Sequence, residues 1–414
     1  LASRRSWAEP NRAREIPFSA RARALALNPA VGAGDEPEMT SISLCMIVRD
    51  EARTLPRCLE SVREVVDQVC VVDTGSVDGT ARIAAQYGAV VADEPWHDNF
   101  AAARNLSLAL ASEDWALVLD ADEWLELGPG GAAAVRRALV DFARRNPRAI
   151  GRVQVRNLEG ERELSRVSIG RFFPLRAGVA YSGRIHEQLR APNGERWPQI
   201  DCDVTILHDG YAAEQLASKR KLTRNLALLE RWTAEAPEDG YAWYQLGRTL
   251  GMKGDHEHAL EALRHALECS HDADAWPVHA VELAATSLDA LGLGAQALAL
   301  VEEACELAPE RPDTLFLRSN LQLQLGAVEA ARAGFEACLA LPATSGSTES
   351  WAGANSYAAA HNLGVIAECT GSPEQAKGWY ELALTFDPSH APSREGLERV
   401  VAPAAGLPTG SSIG

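Results

Sequence analysis

No run in the 414-residue chain approaches the ~18 consecutive apolar residues of a membrane-crossing helix, so a helical span is not expected. Basic charge is scarce as well. Forty lysines and arginines face 57 aspartates and glutamates, for a formal net charge of −17. Binding nucleic acid needs a cationic face that displaces counterions, which this balance excludes, and docking on anionic lipid is disfavoured. The eight cysteines stand singly, with no C-x-x-C pair. Several, such as Cys45 and Cys70, sit in apolar runs where a thiol acts as a small hydrophobe, so a reducing cytosol is expected rather than a disulfide framework. There is no Walker loop and no serine–histidine spacing suggestive of a triad. His186-Glu187 lacks the second histidine of H-E-x-x-H. Gly292-Leu293-Gly294-Ala295-Gln296-Ala297 imitates a dinucleotide fingerprint but follows no strand.

What is present is ordinary globular material, 46% hydrophobic and 23% charged, in a length that suits two or three domains. Residues 1–28 hold six arginines and no apolar core of the kind a secretory signal carries; 29–41 are rich in Gly, Pro and Ala. Residues 1–41 are therefore expected to be a disordered extension and linker.

From Ile42 onward, short apolar runs alternate with helical spacing. The runs at 42–48, 69–73, 89–92 and 115–119 read as buried strands. The stretches 55–66, 80–87 and 100–111 read as helices. Such alternation predicts right-handed βαβ units and a largely parallel sheet, which places binding chemistry at the carboxyl ends of the strands. Short β-like runs between 150 and 211 are expected to complete this domain. Beyond Tyr211 the chain turns helical and repetitive. Trp243, Leu246, Gly247, Gly254, Ala259 and Ala266 fit the tetratricopeptide spacing. A second unit runs through Ala285 to Pro309, a looser third holds Ala331, Phe335 and Cys338, and Leu363 to Pro388 form a last. An insert is expected at 343–356 and a disordered tail from 393.

Leu117-Val118-Leu119-Asp120-Ala121-Asp122-Glu123 carries the strongest chemical signal, a buried strand delivering two carboxylates at its end. Hard divalent cations seek oxygen ligands, and a leaving diphosphate needs its charge neutralised. Val71 to Thr80 (VVDTGSVDGT) ends a second strand, where the Asp73 carboxylate is suited to a nucleobase N–H and the Gly75-Ser76 turn lets backbone approach a ligand. CMIVRDE (45–51) ends a third. Arg104, on the helix before the acidic strand, is a candidate phosphate contact. Asp201-Cys202-Asp203 has no βα context and reads as a solvated strand; His256 and His258 read as surface residues of a repeat helix.

With CLESV (58–62), ARNLSL (103–108), LDADEW (119–124), GRIHEQL (183–189), ILHDGY (206–211) and KRKLTRNLALLE (219–230), this ordered set resembles the GT-A family 2 glycosyltransferases. It resembles in particular their branch with tetratricopeptide repeats, which includes the peptide S-glycosyltransferases of glycocin biosynthesis. HDNF (97–100) departs from the branch, which often shows a doubled acid there.

The resemblance implies an α/β fold. A Rossmann-like GT-A catalytic domain (42–215) would be followed by a connecting helix (216–239) and an all-α repeat domain (240–392). It implies an inverting hexosyltransferase using a UDP-sugar with Mn²⁺ or Mg²⁺. Asp120, Asp122 and His208 are the implied metal ligands; Val48, Arg49, Asp50, Glu51, Asp73, Gly75, Ser76, Arg104, Asp120 and Ala121 are implied to line the nucleotide-sugar site. Glu187 is the candidate general base, with His186 as its substitute and a salt bridge from Glu187 to Arg184 or Arg171 as the structural alternative. The repeats suggest a peptide or protein acceptor, or a homodimer. A saccharide or lipid-linked acceptor, a non-catalytic repeat scaffold and a metal-dependent nucleotidyltransferase are the alternative readings.

Overall fold

The computed structural model describes residues 40–401 apart from 161, 193–195, 210–213, 272–273, 275 and 342–352. The expected extension at 1–39, most of the insert at 343–356 and the tail beyond 401 lie outside the described residues.

Strands β1 (Ile42–Val48), β2 (Gln68–Asp73), β3 (Val90–Asp93) and β4 (Trp115–Val118) form the parallel half of an eight-stranded sheet. Its order is β3-β2-β1-β4-β7-β6-β10-β5, completed by β5 (Glu123–Leu125), β6 (Ile150–Glu159), β7 (Arg162–Pro174) and β10 (Gln199–His208). Within the second half, β7 runs antiparallel to β4 and β6, while β10 is parallel to β6. Alternation along β1 explains the layering. Ile42, Leu44, Met46 and Val48 pack with helices α1 (Leu55–Val62) and α4 (Gly131–Arg145), and Cys45 faces the opposite layer with Cys70 and Ala101. Ala101 belongs to α3 (Phe100–Leu110); α2 (Thr80–Gln86) packs on β2 and β3. Trp115 stacks on Phe172 with ring centroids 4.7 Å apart and meets Phe142 of α4 edge-on, filling the centre of the first layer.

Two expectations about the sheet domain are corrected. Helix α1 stops at Val62 instead of 66, after which the chain turns into β2. The material after Ile150 is not made of short strands alone: β6 and β7 form one long antiparallel hairpin of 10 and 13 residues, pairing Gly151 with Phe172 through to Glu159 with Arg162. Its polar residues blur the alternation that would mark it in the sequence.

After β10, α5 (Glu214–Glu235) leads into four helical hairpins among the described residues: α6 (Gly240–Lys253) with α7 (His256–Glu268), α8 (Pro277–Ala290) with α9 (Gly294–Leu307), α10 (Pro312–Gln324) with α11 (Val328–Ala340), and α12 (Tyr357–Cys369) with α13 (Pro373–Phe386). The expected small residues set the helix spacing. A Cβ on Gly247 would lie 2.6 Å from Leu263, and one on Gly364 2.6 Å from Tyr380. The array does not end at 392, as expected from sequence. A final helix, α14 (Ala391–Val401), covers the last hairpin, with Ser393 fully buried and Gly396 packed against the Tyr380 ring.

Candidate active site

The loops after β1 and β2 are clasped together. Asp50 N–H donates to Ser76 Oγ (2.9 Å), and Val77 N–H returns a bond to Asp50 Oδ1 (2.8 Å). Glu51 N–H donates to Thr80 Oγ1 (2.8 Å) and Ala52 N–H to Asp78 Oδ2 (2.9 Å). Asp50 thus braces the loop and lines none of the three cavities described below. Burial pushes the Glu51 carboxyl above its ordinary range, and Asp122, Asp78 and Asp120 add to the shift against a hydrogen bond from Thr54. Asp73 is almost wholly buried. Its Oδ1 accepts the N–H groups of Gly75 (2.9 Å) and Ser76 (2.7 Å), while Oδ2 has no partner among the described residues. Gly75 adopts φ +105°, which a side chain would disfavour.

Asp120 lies between two buried guanidiniums. Arg104 Nη2 donates to its Oδ1 (2.9 Å) and Arg171 Nη2 to its Oδ2 (3.1 Å). Arg171 also reaches Glu123 Oε1 (2.9 Å), and Glu123 Oε2 accepts the Asp120 N–H (2.8 Å). Burial by itself would raise the Asp120 pKa; Arg104 and Arg171 outweigh it and hold the carboxylate well below the usual range. Arg104 Nη1 and Arg171 Nε are buried without partners among the described residues, so this cluster keeps donors in reserve.

Asp122 points elsewhere. Its Oδ2 lies 3.2 Å from His208 Nε2, and His208 Nδ1 lies 2.7 Å from Asn157 Oδ1. With the Asn157 amide oxygen accepting the Nδ1 proton, Nε2 donates to Asp122 in the imidazolium and offers its lone pair to a cation in the neutral ring. The hydrogen bond to Asp122 raises the His208 pKa. No group of three or more His, Cys, Asp or Glu able to hold a metal occurs among the described residues. The Asp122–His208 pair nevertheless fits the small set of protein ligands that Mg²⁺ or Mn²⁺ accepts when phosphate oxygens and water complete its shell.

Glu187 stands at the end of a bend at 183–187 that follows β8 (Ala180–Ser182), the partner of β9 (Gln188–Arg190). Its Oε1 accepts from Arg104 Nε at 2.5 Å. The expected alternative partners are engaged elsewhere: Arg184 grips Glu235 with two bonds of 2.6 Å, and Arg171 holds Asp120 and Glu123. The bend is anchored from below. Gly183, at φ +102°, lies so close to Trp232 of α5 that a Cβ would come within 2.5 Å of the ring. Ile185 is buried in one cluster with Leu229, Trp232, Ala242 and Leu246, which joins the bend to the first repeat. His186 is exposed at φ +52°. With Asp50 (φ +54°) and Asp98 (φ +55°), it completes the non-glycine residues of left-handed φ among those described. Strain of this kind persists where surrounding structure over-determines it, often at functional sites.

Three adjoining cavities organise these residues. One of about 590 Å³ is lined by Arg49, Asp73, Thr74, Gly75, Ser76 and Trp96, among others. A second, about 520 Å³, shares Arg49, Thr74 and Trp96 with it and adds Val48, Glu51, Arg104, Asp120, Ala121, Asp122 and His208. A third, about 530 Å³, shares Arg104 with the second and holds His186 and Glu187. The site residues read from sequence therefore converge, Asp50 excepted. Sequence reasoning assigned no role to Lys221 and Arg224, which line the second cavity from α5, nor to Trp96, which borders the first two. The available signal was the basic run KRKLTR at 219–224, whose approach to the sheet only the fold reveals.

Both parts of the chain are similar to known proteins. Residues 43–171 match the model of glycosyl transferase family 2, and 240–269 match a tetratricopeptide repeat. A TPR repeat-containing protein of Synechococcus elongatus is 37% identical over 241 residues, covering 56% of this chain and 57% of the relative. The prophage-derived glycosyltransferase SunS of Bacillus subtilis is 25% identical over 246 residues, covering 59% of this chain and 57% of that protein. An uncharacterized glycosyltransferase of Rickettsia felis is 40% identical over 87 residues, 21% of this chain and 30% of its own length. The chain thus spans little more than half the length of the first two relatives.

Proposed function

From a chain that carries a family 2 glycosyltransferase domain joined to tetratricopeptide repeats, we propose an inverting hexosyltransferase that moves sugar from a UDP-sugar to a peptide or protein side chain. The observation that carries this reading is the run of three cavities, joined first through Arg49, Thr74 and Trp96 and then through Arg104, with Asp73 at one end, Asp122 and His208 in the middle and Glu187 at the other.

In this reading the unpartnered Oδ2 of Asp73 accepts the nucleobase N–H while Trp96 borders the same cavity. Asp122 and His208 hold Mn²⁺ or Mg²⁺, with Asp120 nearby but committed to Arg104 and Arg171. The cation, when bound, neutralises the diphosphate so that it can leave. Lys221 and Arg224 line the cavity that would hold the diphosphate, and add fixed positive charge where negative charge develops. Glu187 accepts the proton of the acceptor nucleophile. Its bond to Arg104 links it to the acid cluster beneath the donor.

Incubation with individual UDP-sugars and Mn²⁺, followed by mass spectrometry of peptides and proteins offered as acceptors, tests the proposal. A mass increase of one hexose that needs the added cation supports it; pyrophosphate release from a nucleoside triphosphate with no sugar transfer would contradict it.

A further inference from the structure

The cleft beside Glu187 has a composition that selects its occupant. One wall is β9, whose residues Gln188, Leu189 and Arg190 all line it. β9 pairs with β8 on one side only, and among the described residues no strand covers its other edge. The facing wall comes from the repeats: Tyr241 of α6 and Trp276 just before α8, with Trp197 nearby. Trp276 is 5% exposed, and its indole N–H is buried without an acceptor among the described residues.

Arg190 is the cation of this cleft left without a carboxylate. Its Nη2 donates to the neutral Gln188 Oε1 (2.7 Å), and among the described residues it makes no ion pair. The neighbouring Arg196 is bound to Asp274, and Asp239 is occupied at the N-terminus of α6, accepting from the Tyr241 and Ala242 N–H groups. Arg104 and Arg171 are balanced by Asp120, Glu123 and Glu187. A half-buried guanidinium facing an open cleft, in a chain of net charge −17, is suited to an anionic group brought by the ligand.

We propose that this cleft is the acceptor subsite and that it takes an extended peptide carrying an acidic residue. The peptide adds as a strand along the free edge of β9, and its carboxylate pairs with Arg190. Tyr241, Trp276 and Trp197 flank its apolar side chains, and the Trp276 indole donates to a backbone carbonyl. The open edge favours a peptide over a saccharide, because main-chain pairing is what such an edge offers. β9 starts at the residue after Glu187, so a peptide in this register delivers its nucleophile to that carboxylate. The inference rests on the glycosyltransferase reading above and specifies its acceptor.

The test uses synthetic peptides with one central Ser, Thr, Cys or Asn, flanked by Asp, Ala or Lys in matched sets, with a UDP-hexose and Mn²⁺. The wild-type chain should prefer Asp-flanked over Lys-flanked peptides by about tenfold in kcat/KM, the scale of one desolvated charge pair. R190E should reverse that preference, and W276F should raise KM for every peptide in the set. Calorimetric UDP affinity of each variant reports whether the donor half is intact. An R190E enzyme that binds UDP and keeps the wild-type preference overturns the inference, as does transfer to acidic oligosaccharides but to no peptide. A wild-type chain that fails to bind UDP removes the glycosyltransferase reading, and the inference with it.

Discussion

Arg104 donates from Nε to Glu187 at 2.5 Å and from Nη2 to Asp120 at 2.9 Å, so one guanidinium on α3 fixes the spacing between the acid at the end of β4 and the acid after β8. Arg104 is 8% exposed, and its removal leaves Glu187 without an ion-pair partner among the described residues and Asp120 with Arg171 alone. R104A is expected to cost about 3–5 kcal/mol of stability, the range for breaking a buried ion pair. R104K keeps the charge but gives up the fork. It should stay folded and lose at least about tenfold in kcat. Thermal unfolding beside initial rates separates the two effects.

Asp73→Asn keeps an oxygen for the Gly75 and Ser76 N–H groups and replaces the unpartnered oxygen with a donor. The fold should survive. UDP affinity should fall by about 10–100-fold, from the loss of one buried hydrogen bond with a charged acceptor. A second expectation separates recognition from catalysis: once UDP-sugar saturates, kcat should recover much of its wild-type value.

The bend at 183–187 rests on residues outside the catalytic sheet. Gly183→Ala would push a methyl to 2.5 Å from the Trp232 ring at φ +102°, and Ile185→Ala would open a hole in the cluster shared with Leu229 and Leu246. Each should cost about 2–4 kcal/mol. Each should lower kcat more than UDP affinity, because Glu187 moves while Asp73 does not. Equal loss of both would mean that the bend does not position Glu187.

The sequence made the strand ends readable because each is a buried apolar run that stops at acids. For the same reason Asp73, Asp120 and Asp122 stand out from local pattern, whereas His208 is singled out only by the resemblance. Arg171 was not given its role: it lies 51 residues from Asp120 and reaches it only because β7 runs antiparallel beside β4. Ile185 looked like any apolar residue in a polar loop, and its anchorage in the first repeat is a tertiary fact. The docking of α14 through Ser393 and Gly396 was missed because small residues carry little hydrophobic signal, although Leu397 and Val400 have helical spacing. Conversely, Asp50 looked like a ligand-facing acid and is a clasp, which depends on the loop from β2 reaching across to it.

The C-terminal cap should respond to acid. His361 of α12 and His390 before α14 both contact the buried Ser393 hydroxyl, at 3.1 and 2.7 Å. Burial lowers the His361 pKa below its ordinary 6.5, His390 and Arg399 add to the shift, and Glu368 opposes it. The unfolded ring therefore takes its proton first. The contribution is complete above about pH 6.5 and is lost as pH falls through the depressed folded value. His361→Phe should flatten that part of the stability–pH curve measured by urea unfolding; an unchanged slope would assign the acid sensitivity elsewhere.

The central claim is that Asp122 and Asp73 grip one nucleotide from two strand ends with a cation between protein and diphosphate. Calorimetric titration of UDP with and without Mn²⁺, on wild type and Asp122→Ala, tests it most directly. The account predicts that Mn²⁺ tightens UDP binding to the wild type by at least about tenfold and has no such effect on the variant, while both unfold at similar temperature. Equal Mn²⁺ enhancement in the two proteins, or none in the wild type, would contradict it.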